Sequence, residues 1–174
     1  MSYIRKKLSP SDKEILNKLY KEFEKIHIPT TYRDKGRAPY HSLKTGANIQ
    51  KNARQTSFGI INYRGNQTIS SNTKKYPHIY PLLKKFIKSH NHKFKFKTVY
   101  INRNVICKKH IDSKNTGRSL LIGLGPYTGG KTTLYLGNKS VSFNIKSSSL
   151  VFNGSEIYHQ SEPFLGTRYS LVFF

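Results

Sequence analysis

Residues 118–153 read RSLLIGLGPYTGGKTTLYLGNKSVSFNIKSSSLVFN, so short apolar runs alternate with Gly, Pro, Asn and Ser. Short runs rich in β-branched and aromatic side chains and bounded by turn residues are typical of β-strands. Gly137-Asn138 separates two of these runs and is a hairpin signal. The stretch therefore predicts antiparallel strands that follow each other closely along the chain.

The same pattern continues on both sides, with KFKFKTVYIN at 93–102 and RYSLVFF at 168–174. KFKFK alternates strictly, which predicts a strand whose lysines form one solvated or phosphate-facing side. About six or seven short antiparallel strands after two helices indicate an α+β domain. We expect its β part to be a jelly-roll or cupin-like barrel flanked by N-terminal helices.

Two helical patterns precede the strands. Residues 11–26 predict an amphipathic helix, and Ser11 and Glu14 have the spacing of a capping box at its start. Residues 78–90 predict a second helix. The apolar positions that support the two helices are Ile15, Leu16, Leu19, Tyr20, Phe23, Ile26, Ile79, Leu82, Leu83, Phe86 and Ile87.

Between the helical patterns, residues 28–54 lack periodicity and predict a long basic loop. TSFGIINYR at 56–64 predicts a strand followed by a polar loop. We expect a single domain over residues 1–174, with a helical and basic part at 1–93 and the β-rich core at 94–174.

Composition restricts the class of protein. The chain has 174 residues, of which 36% are hydrophobic, enough for one folded domain. No apolar run reaches the length of a membrane span, the charged start MSYIRKKLSPSDKE lacks a secretory apolar segment, and a single cysteine, Cys107, excludes an internal disulfide and a multi-cysteine zinc site. We expect an intracellular monomer of the nucleus or cytoplasm, a category that includes viral proteins acting in a host cell.

The charge is strongly one-sided. Lys and Arg total 31 against 8 acidic residues, a net charge of +23, and no acidic residue lies between Asp34 and Asp112. Such a field favours a polyanionic partner, most simply the phosphates of nucleic acid, and we favour DNA over RNA. A Lys-rich composition without a specific partner is the alternative interpretation.

If nucleic acid is the partner, the basic residues of 31–54 and 92–109 are expected to contact phosphates without reading the base sequence. Lys108 and Lys109 lie next to the motif described below and are the first candidates for contact with the substrate. Solvated lysines with no partner are the competing interpretation.

Three groups of residues carry the chemistry. In a strand-like segment residues two apart point to the same side, so His110 and Asp112 can converge on one metal, and His159 from a distant strand can complete a two-His, one-carboxylate face. That ligand set suits Fe(II) and leaves positions open for a 2-oxo acid and O₂. Arg168 can hold the far carboxylate of such an acid in two bonds, and Ser170 faces the same way. HxD alone occurs by chance, so the prediction rests on the order of the three groups among the strands.

The motifs HIDSKN (110–115), GLGPYTGG (123–130) and HQSEPFLGTRYSLVFF (159–174) resemble those of the Fe(II)/2-oxoglutarate-dependent dioxygenases, and in particular the TET/JBP group. The resemblance implies a double-stranded β-helix fold and oxidation of the 5-methyl group of cytosine or thymine in nucleic acid. It implies that His110, Asp112 and His159 are catalytic and bind iron.

The resemblance also implies the cosubstrate and substrate contacts. It places 2-oxoglutarate on Arg168 and Ser170, with Arg54 as a further candidate, and the target base near Asn115. A base in a duplex must be flipped to reach iron inside a barrel and needs a stacking partner there, for which Tyr127 is a candidate.

Two other classes stay open at this stage. A prolyl or lysyl hydroxylase would share the iron motifs but has no need for a charge of +23. A non-enzymatic, basic nucleic-acid-binding module on a jelly-roll scaffold would leave the histidines without a metal. Salt-sensitive DNA binding separates the first class from our interpretation, and Fe(II)-dependent formation of succinate separates the second.

Overall fold

The computed structural model describes residues 2–29, 53–112 and 116–174. Its elements in chain order are β1 (Tyr3–Lys7), α1 (Pro10–Phe23), β2 (Arg54–Tyr63), β3 (Asn66–Ile69), α2 (Ser71–Lys75), α3 (Ile79–His90), β4 (Thr98–Arg103), β5 (Ser119–Leu124), β6 (Tyr127–Gly129), β7 (Thr132–Leu136), β8 (Lys139–Phe143), β9 (Ser148–Phe152), β10 (His159–Ser161), β11 (Phe164–Gly166) and β12 (Tyr169–Phe173). In this part of the chain, no helix is long and apolar enough to span a membrane.

The strands form one large and two small antiparallel sheets. The large sheet has the order β1-β9-β5-β12-β4-β2-β3, and the small sheets have the orders β10-β7-β8 and β11-β6. Strands that follow each other in the sequence are often not adjacent in the large sheet. Its register therefore depends on long-range pairings such as β1 with β9 and β12 with β4. This arrangement confirms the predicted β-barrel flanked by helices.

The two faces of the large sheet bury different cores. On β12, Leu171 and Phe173 belong to the core between the sheet and the helices, whereas Val172 packs into the core between the sheets, with Leu121 and Leu134. Alternate residues of a strand point to opposite faces. The odd-numbered residues of β12 therefore face the helices, and the even-numbered ones face the barrel interior.

Helix α1 begins earlier than predicted. Ser9 is the N-cap, its side chain accepts from the backbone N–H of Asp12, and the Asp12 carboxylate accepts from the backbone N–H of Ser9. The predicted Ser11–Glu14 capping box is wrong, because Pro10 fits the first helical position and so moves the start of the helix to Ser9.

Helix α1 is tied to the start of β12 at its other end. The Tyr169 hydroxyl donates to Glu24, the C-cap residue of α1, at 2.6 Å, and its ring packs against Phe23. Burial raises the pKa of Tyr169, and the adjacent Glu24 carboxylate raises it further. The hydroxyl therefore stays protonated and holds the helix against the strand that follows Arg168.

Several other predictions can be compared with the described residues. The helix at 78–90 and the strand at 56–64 are confirmed as α3 and β2, and Gly137 has φ 62° in the turn between β7 and β8. The polar loop after β2 is wrong, because Arg64-Gly65 forms a tight turn into β3. Most of the predicted loop at 28–54 lies outside the described residues.

The predicted strand over KFKFK is also wrong, since β4 begins only at Thr98. The alternation has a different basis: Phe94 and Phe96 pack against the helical core, while the three lysines that alternate with them are exposed. Strands β1, β2 and β3 come from the part predicted to be helical and basic, yet they belong to the large sheet.

A buried polar network joins α1, α3 and β9. Asp12 Oδ2 accepts from His90 Nδ1 at 2.8 Å, and His90 Nε2 lies 2.7 Å from Ser149 Oγ. All three residues are at most 2% exposed, so no substrate can reach Ser149 despite its Ser-His-Asp arrangement. Burial raises the pKa of Asp12, but hydrogen bonds from the Ser9 backbone, His90 and Ser89 outweigh it and leave the pKa below its usual value.

We expect Asp12→Asn to lower the free energy of unfolding by about 3 kcal/mol at pH 7, because it leaves a buried network without its acceptor charge. A carboxyl with a lowered folded pKa contributes stability that is present above the unfolded value of about 3.9 and is lost as pH falls through the folded value. Urea unfolding should therefore show the difference at pH 7 and a smaller one below about pH 4.

Glu14→Gln, which removes an exposed ion pair of the same helix, is the control and should change little. Equal midpoints for Asp12→Asn and the native protein at pH 7 would contradict the role of the network.

Candidate metal and cosubstrate site

The segments that carry His110 and His159 are joined through their backbones. His110 N donates to His159 O at 3.0 Å, and His159 N donates to His110 O at 2.9 Å, so the two residues form an isolated antiparallel bridge. Their rings lie on the same side, with centroids 4.3 Å apart. His159 is also the first residue of β10, and its register opposite Leu134 of β7 fixes its position along the barrel.

Both imidazoles are oriented by backbone carbonyl groups. His110 Nδ1 lies 2.6 Å from Lys108 O, and His159 Nδ1 lies 2.9 Å from Ile157 O. A carbonyl oxygen can only accept, so each Nδ1 carries a proton, and in the neutral ring Nε2 then keeps its lone pair. This is the tautomer that a metal ligand requires.

Asp112 brings its carboxylate to the same point. His110 Nε2 lies 3.5 Å from Asp112 Oδ1, and His159 Nε2 lies 3.7 Å from Asp112 Oδ2. The ligand atoms of the three residues all lie within 4.8 Å of one another. The separations of 3.5 Å and 3.7 Å fit a shared coordination sphere, since two ligands on metal bonds of roughly 2 Å lie at most about 4 Å apart.

Gly154 makes room for this carboxylate. Asp112 N donates to Gly154 O at 2.8 Å, and a Cβ built on Gly154 would lie 2.8 Å from Asp112 Oδ2 and 3.6 Å from His159 Cε1. A side chain at this position would push on the Asp112 carboxylate, while it would only touch the His159 ring. Sequence analysis missed Gly154, because nothing in the sequence brings residue 154 next to residue 112.

Arg168 is a buried charge at the start of β12. It is 1% exposed, and its guanidinium lies within hydrogen-bond distance of the backbone carbonyls of Gly130 at 3.2 Å and Val105 at 3.5 Å. Among the described residues, no carboxylate lies within 4.0 Å of it. Burial lowers the pKa of Arg168, but the guanidinium remains charged, because the ordinary pKa of arginine lies far above neutral pH.

Tyr127 lies beside this guanidinium. The Arg168 Cζ is 5.7 Å from the centroid of the Tyr127 ring and 5.7 Å from that of Phe164. Burial raises the pKa of Tyr127, although the Arg168 guanidinium beside it acts in the opposite direction. Among the described residues, its buried hydroxyl has no hydrogen-bond partner of normal geometry. Tyr127 is 4% exposed, so it lies with the candidate cosubstrate residues and is not presented as a stacking surface for a base.

Two glycines keep the space around these groups open. A Cβ on Gly130 would lie 2.8 Å from both Cδ and Nε of Arg168, and a Cβ on Gly123 would lie 2.2 Å from the Tyr127 hydroxyl. Both glycines belong to the GLGPYTGG motif. The motif therefore provides the cavity in which the guanidinium and the phenol sit side by side.

Ser170 shares the inner face of β12 with Val172, and by alternation it projects to the same side as Arg168. Asn102 lies opposite Ser170, and Gln55 lies opposite Asn102 and donates to it at 2.7 Å. This row of polar side chains beside Ser170 was not predicted, because it becomes visible only once β2, β4 and β12 are paired.

The structure does not bring Arg54 to this row. Arg54 lies opposite Arg103, which lies opposite Tyr169, so Arg54 is on the face of the sheet that the helices cover. It donates to Ile28 O at 2.9 Å. Arg54 and Gln55 are consecutive in β2, so their side chains point to opposite faces of the sheet, and that of Arg54 points away from the barrel interior.

The lysines next to the iron motif differ from each other. Lys108 is exposed and contributes its carbonyl to His110, whereas the Lys109 ammonium lies 4.0 Å from the centroid of Tyr135 and 5.4 Å from that of Tyr158. The structure thus gives Lys109 an aromatic partner of its own. Asn115 lies outside the described residues.

The residues present fit a ferrous ion and a keto diacid. Two neutral imidazoles and one carboxylate on one side of a point are the set that non-haem Fe(II) oxygenases use, and they leave the opposite positions open. A buried guanidinium without a carboxylate, next to an unpaired phenol, is a site that an anionic ligand would complete.

Comparison with known proteins bears on the fold. No protein-family model matches the chain, and no curated protein matches it in sequence. A prolyl hydroxylase from Trichoplax adhaerens, solved with a hypoxia inducible factor oxygen degradation domain peptide fragment, has a TM-score of 0.57 at 16% identity over 99% of this chain and 83% of that chain.

Two further solved structures are similar in fold. NgTET1 in complex with 5mC DNA has a TM-score of 0.57 at 15% identity over 93% of this chain and 67% of that chain. A Neurospora crassa protein in complex with alpha-KG (2-oxoglutarate) and thymine has a TM-score of 0.55 at 12% identity over 99% of this chain and 75% of that chain. These likenesses confirm the predicted double-stranded β-helix fold.

We expect Gly154→Ala to weaken metal binding about tenfold or more, because its methyl group displaces the Asp112 carboxylate, as loss of a supporting contact typically does. Titration with Co(II), followed by its visible absorption, measures this affinity without turnover. The melting temperature of the metal-free variant should stay close to that of the native protein. Native metal affinity in Gly154→Ala would contradict the close approach of residue 154 to the ligands.

Proposed function

We propose that this chain is an Fe(II)- and 2-oxoglutarate-dependent dioxygenase that hydroxylates a base in nucleic acid, most simply the 5-methyl group of 5-methylcytosine or thymine. The observation that carries the enzyme class is the convergence of His110, Asp112 and His159, with ligand atoms within 4.8 Å of one another. Both imidazoles already have the metal-binding tautomer, which supports a resident metal over three unrelated polar side chains.

Arg168 supports 2-oxoglutarate as the cosubstrate. Its planar guanidinium can hold a carboxylate in two parallel hydrogen bonds, and the neighbouring Tyr127 and Ser170 hydroxyls can donate to the same group. A monocarboxylic keto acid would leave this buried charge uncompensated, which is costly in an apolar interior. A diacid satisfies the metal at one end and Arg168 at the other.

Residues of the chain orient the two imidazoles, hold their Nδ1 protons and exclude water from the site. When bound, the ferrous ion with 2-oxoglutarate and O₂ supplies the oxidising chemistry that inserts oxygen into a C–H bond. The Lys108 and Ile157 carbonyls keep the two Nδ1 protons in place, so the histidines cannot change tautomer. The apolar core between the sheets, which includes Phe152 at 5.0 Å from the His159 ring, keeps water away from the interior side of the site.

The charge of the chain supports nucleic acid as the substrate. A net charge of +23 with no acidic residue between Asp34 and Asp112 suits a phosphate backbone. Among the proteins of similar fold, one was solved with 5mC DNA and one with thymine. A duplex substrate would have to present its base flipped out of the stack, because the metal lies within a barrel.

A protein hydroxylase is the second candidate. The structure solved with a peptide fragment has the same TM-score, 0.57, as the structure solved with 5mC DNA. The two candidates share every iron and cosubstrate residue and differ in what the charged surface binds. Binding that falls steeply with salt favours nucleic acid, whereas oxidation of a prolyl or lysyl peptide with no response to DNA favours the protein hydroxylase.

We expect His110→Ala and Asp112→Ala to abolish the Fe(II)-dependent conversion of 2-oxoglutarate to succinate while leaving DNA binding within about twofold of native, because neither side chain supplies a cation to the phosphate contacts. Turnover is measured as succinate, and modified nucleosides are identified by mass spectrometry after incubation with methylated and unmethylated DNA and RNA. Succinate formation by the native protein with no modified nucleoside in any sample would leave the enzyme class standing and reject the nucleic-acid substrate.

Arg168→Met should remove the response to 2-oxoglutarate without unfolding the protein, because Met fills similar volume and removes a buried charge that has no carboxylate partner in the described residues. The native protein should melt at a higher temperature in 2-oxoglutarate, and the variant should not. Tyr127→Phe is the matched control: it keeps the ring that packs on Arg168 and should keep part of the shift. A full shift in Arg168→Met would show that the diacid binds elsewhere.

A further inference from the structure

Strands β2 and β3 extend beyond the rest of the large sheet as a hairpin arm, residues 60–69. Every residue of β3 is exposed, and β3 lies at the edge of the sheet. Ile60 and Ile69 lie directly opposite each other and are 37% and 51% exposed, and Tyr63 is 58% exposed. Successive residues alternate in direction, so the arm presents apolar groups to solvent on both faces.

The arm lies at the same end of the sheet as the metal ligands. Gly59 pairs with Thr98 at the start of β4. In the adjacent row across the sheet, Val99 of β4 pairs with Phe173 of β12, which pairs with Leu120 of β5. The next row contains Ser119 opposite Phe152, whose ring contacts that of His159. The arm continues past this row, so it stands beyond the sheet at its metal-bearing end.

The tip of the arm combines a cation with an aromatic ring. The Arg64 guanidinium lies 5.3 Å from the centroid of the Tyr63 ring. Arg64 has φ 51° and Gly65 has φ 84°, so the two residues form the tight left-handed turn that a two-residue hairpin loop requires. The turn fixes the charge and the ring at the outermost point of the arm.

A second pair of this kind lies at the base of the arm. The Lys84 ammonium lies 5.2 Å from the centroid of Tyr80, whose hydroxyl donates to Lys97 O. Tyr80 closes over Gly59, where an added Cβ would lie 3.1 Å from the tyrosine ring and would collide with Lys97 O. Base and tip therefore present cations and tyrosines along one edge, within a segment of sequence that contains no acidic residue.

We propose that the hairpin arm is a nucleic-acid contact in which Tyr63 stacks on an unpaired base and Arg64 binds the backbone phosphate next to it. This inference rests on the proposed nucleic-acid substrate and assigns to it residues outside the metal site. Single-stranded nucleic acid is bound by this combination of aromatic platforms and cations, and stacking tolerates any base. The position beyond the metal-bearing end suits a strand whose neighbouring base enters the barrel.

A second copy of the chain is the competing occupant, since an exposed edge strand can pair with another edge strand. Charge argues against this pairing. Two copies that each carry +23 would bring the cations of both arms together, and like charges placed opposite each other across paired strands are destabilising. A polyanion meets the same surface with the opposite sign of charge.

The test is fluorescence anisotropy of the full chain with a fluorescein-labelled oligonucleotide of about twenty nucleotides, single-stranded or in a duplex, over a series of salt concentrations. Tyr63→Ala should weaken single-strand binding about tenfold, the scale of one lost stacking contact, and Tyr63→Phe should restore most of it. Arg64→Asn should lower the slope of log affinity against log salt by about 0.7, as expected for one lost single-strand phosphate contact. Asn is chosen because it tolerates the left-handed conformation.

Lys7→Asn is the matched control, because Lys7 is exposed on β1 at the opposite edge of the sheet and pairs with Ser148, away from the metal-bearing end. It should change affinity less than Arg64→Asn does. Native affinity and slope in both arm variants, or a dimer in size-exclusion chromatography that Tyr63→Ala dissociates, would overturn the proposal. Absence of salt-dependent binding in the native protein would instead remove the nucleic-acid substrate itself, and succinate formation reports separately on the metal site.

Discussion

The backbone bridge between His110 and His159 is the interaction on which the site depends. Two hydrogen bonds of 3.0 Å and 2.9 Å join a segment without regular structure to the first residue of β10. Because the two imidazoles leave this bridge on the same side, both Nε2 atoms lie close to the Asp112 carboxylate. The pairing of Asp112 N with Gly154 O adds the third ligand by the same means. The metal site is thus an extension of sheet pairing, and its geometry is as rigid as the barrel that carries it.

The candidate cosubstrate end of the site depends on different interactions. Arg168 is held by van der Waals contact with Tyr127, Phe164 and Gly130, and its charge is left without a carboxylate among the described residues. Such an arrangement costs stability in the ligand-free protein, because a buried charge is compensated poorly by two long contacts to carbonyl groups. That cost is also a source of specificity. A ligand whose carboxylate accepts from Arg168 gains charge-assisted hydrogen bonds that a neutral ligand does not offer.

The sequence predicts the convergence of the candidate site better than the bounds of the strands. The approach of His110, Asp112 and His159 to one another could be predicted because alternation along a strand places residues 110 and 112 on one side, and the order of the motifs adds the second histidine. The face of the sheet on which Arg54 lies could not be predicted, since a shift of one residue in strand register moves a side chain to the opposite face. Lysines alternating with phenylalanines, in KFKFK, are equally compatible with a strand and with an irregular segment anchored by two rings. Long-range neighbours, such as Gly154 beside Asp112, exist only after the chain has folded.

The acidic residues are distributed unevenly over the described part of the molecule. Of the acidic residues, Asp12, Glu14, Glu22 and Glu24 lie on or at the end of α1, and Glu162 accepts hydrogen bonds from Thr133 and Ser142. Asp112 faces the metal position. The glutamates of α1 and its C-cap form ion pairs with Lys18, Lys25 and Arg103 on the helical side, whereas the hairpin arm at the edge of the sheet carries the cation Arg64. The proposed metal ligands lie in the barrel and the proposed nucleic-acid contacts lie at its edge, so the two can vary independently. Solved structures of similar fold contain a peptide in one case and DNA in the other, so the barrel fold itself does not determine the substrate.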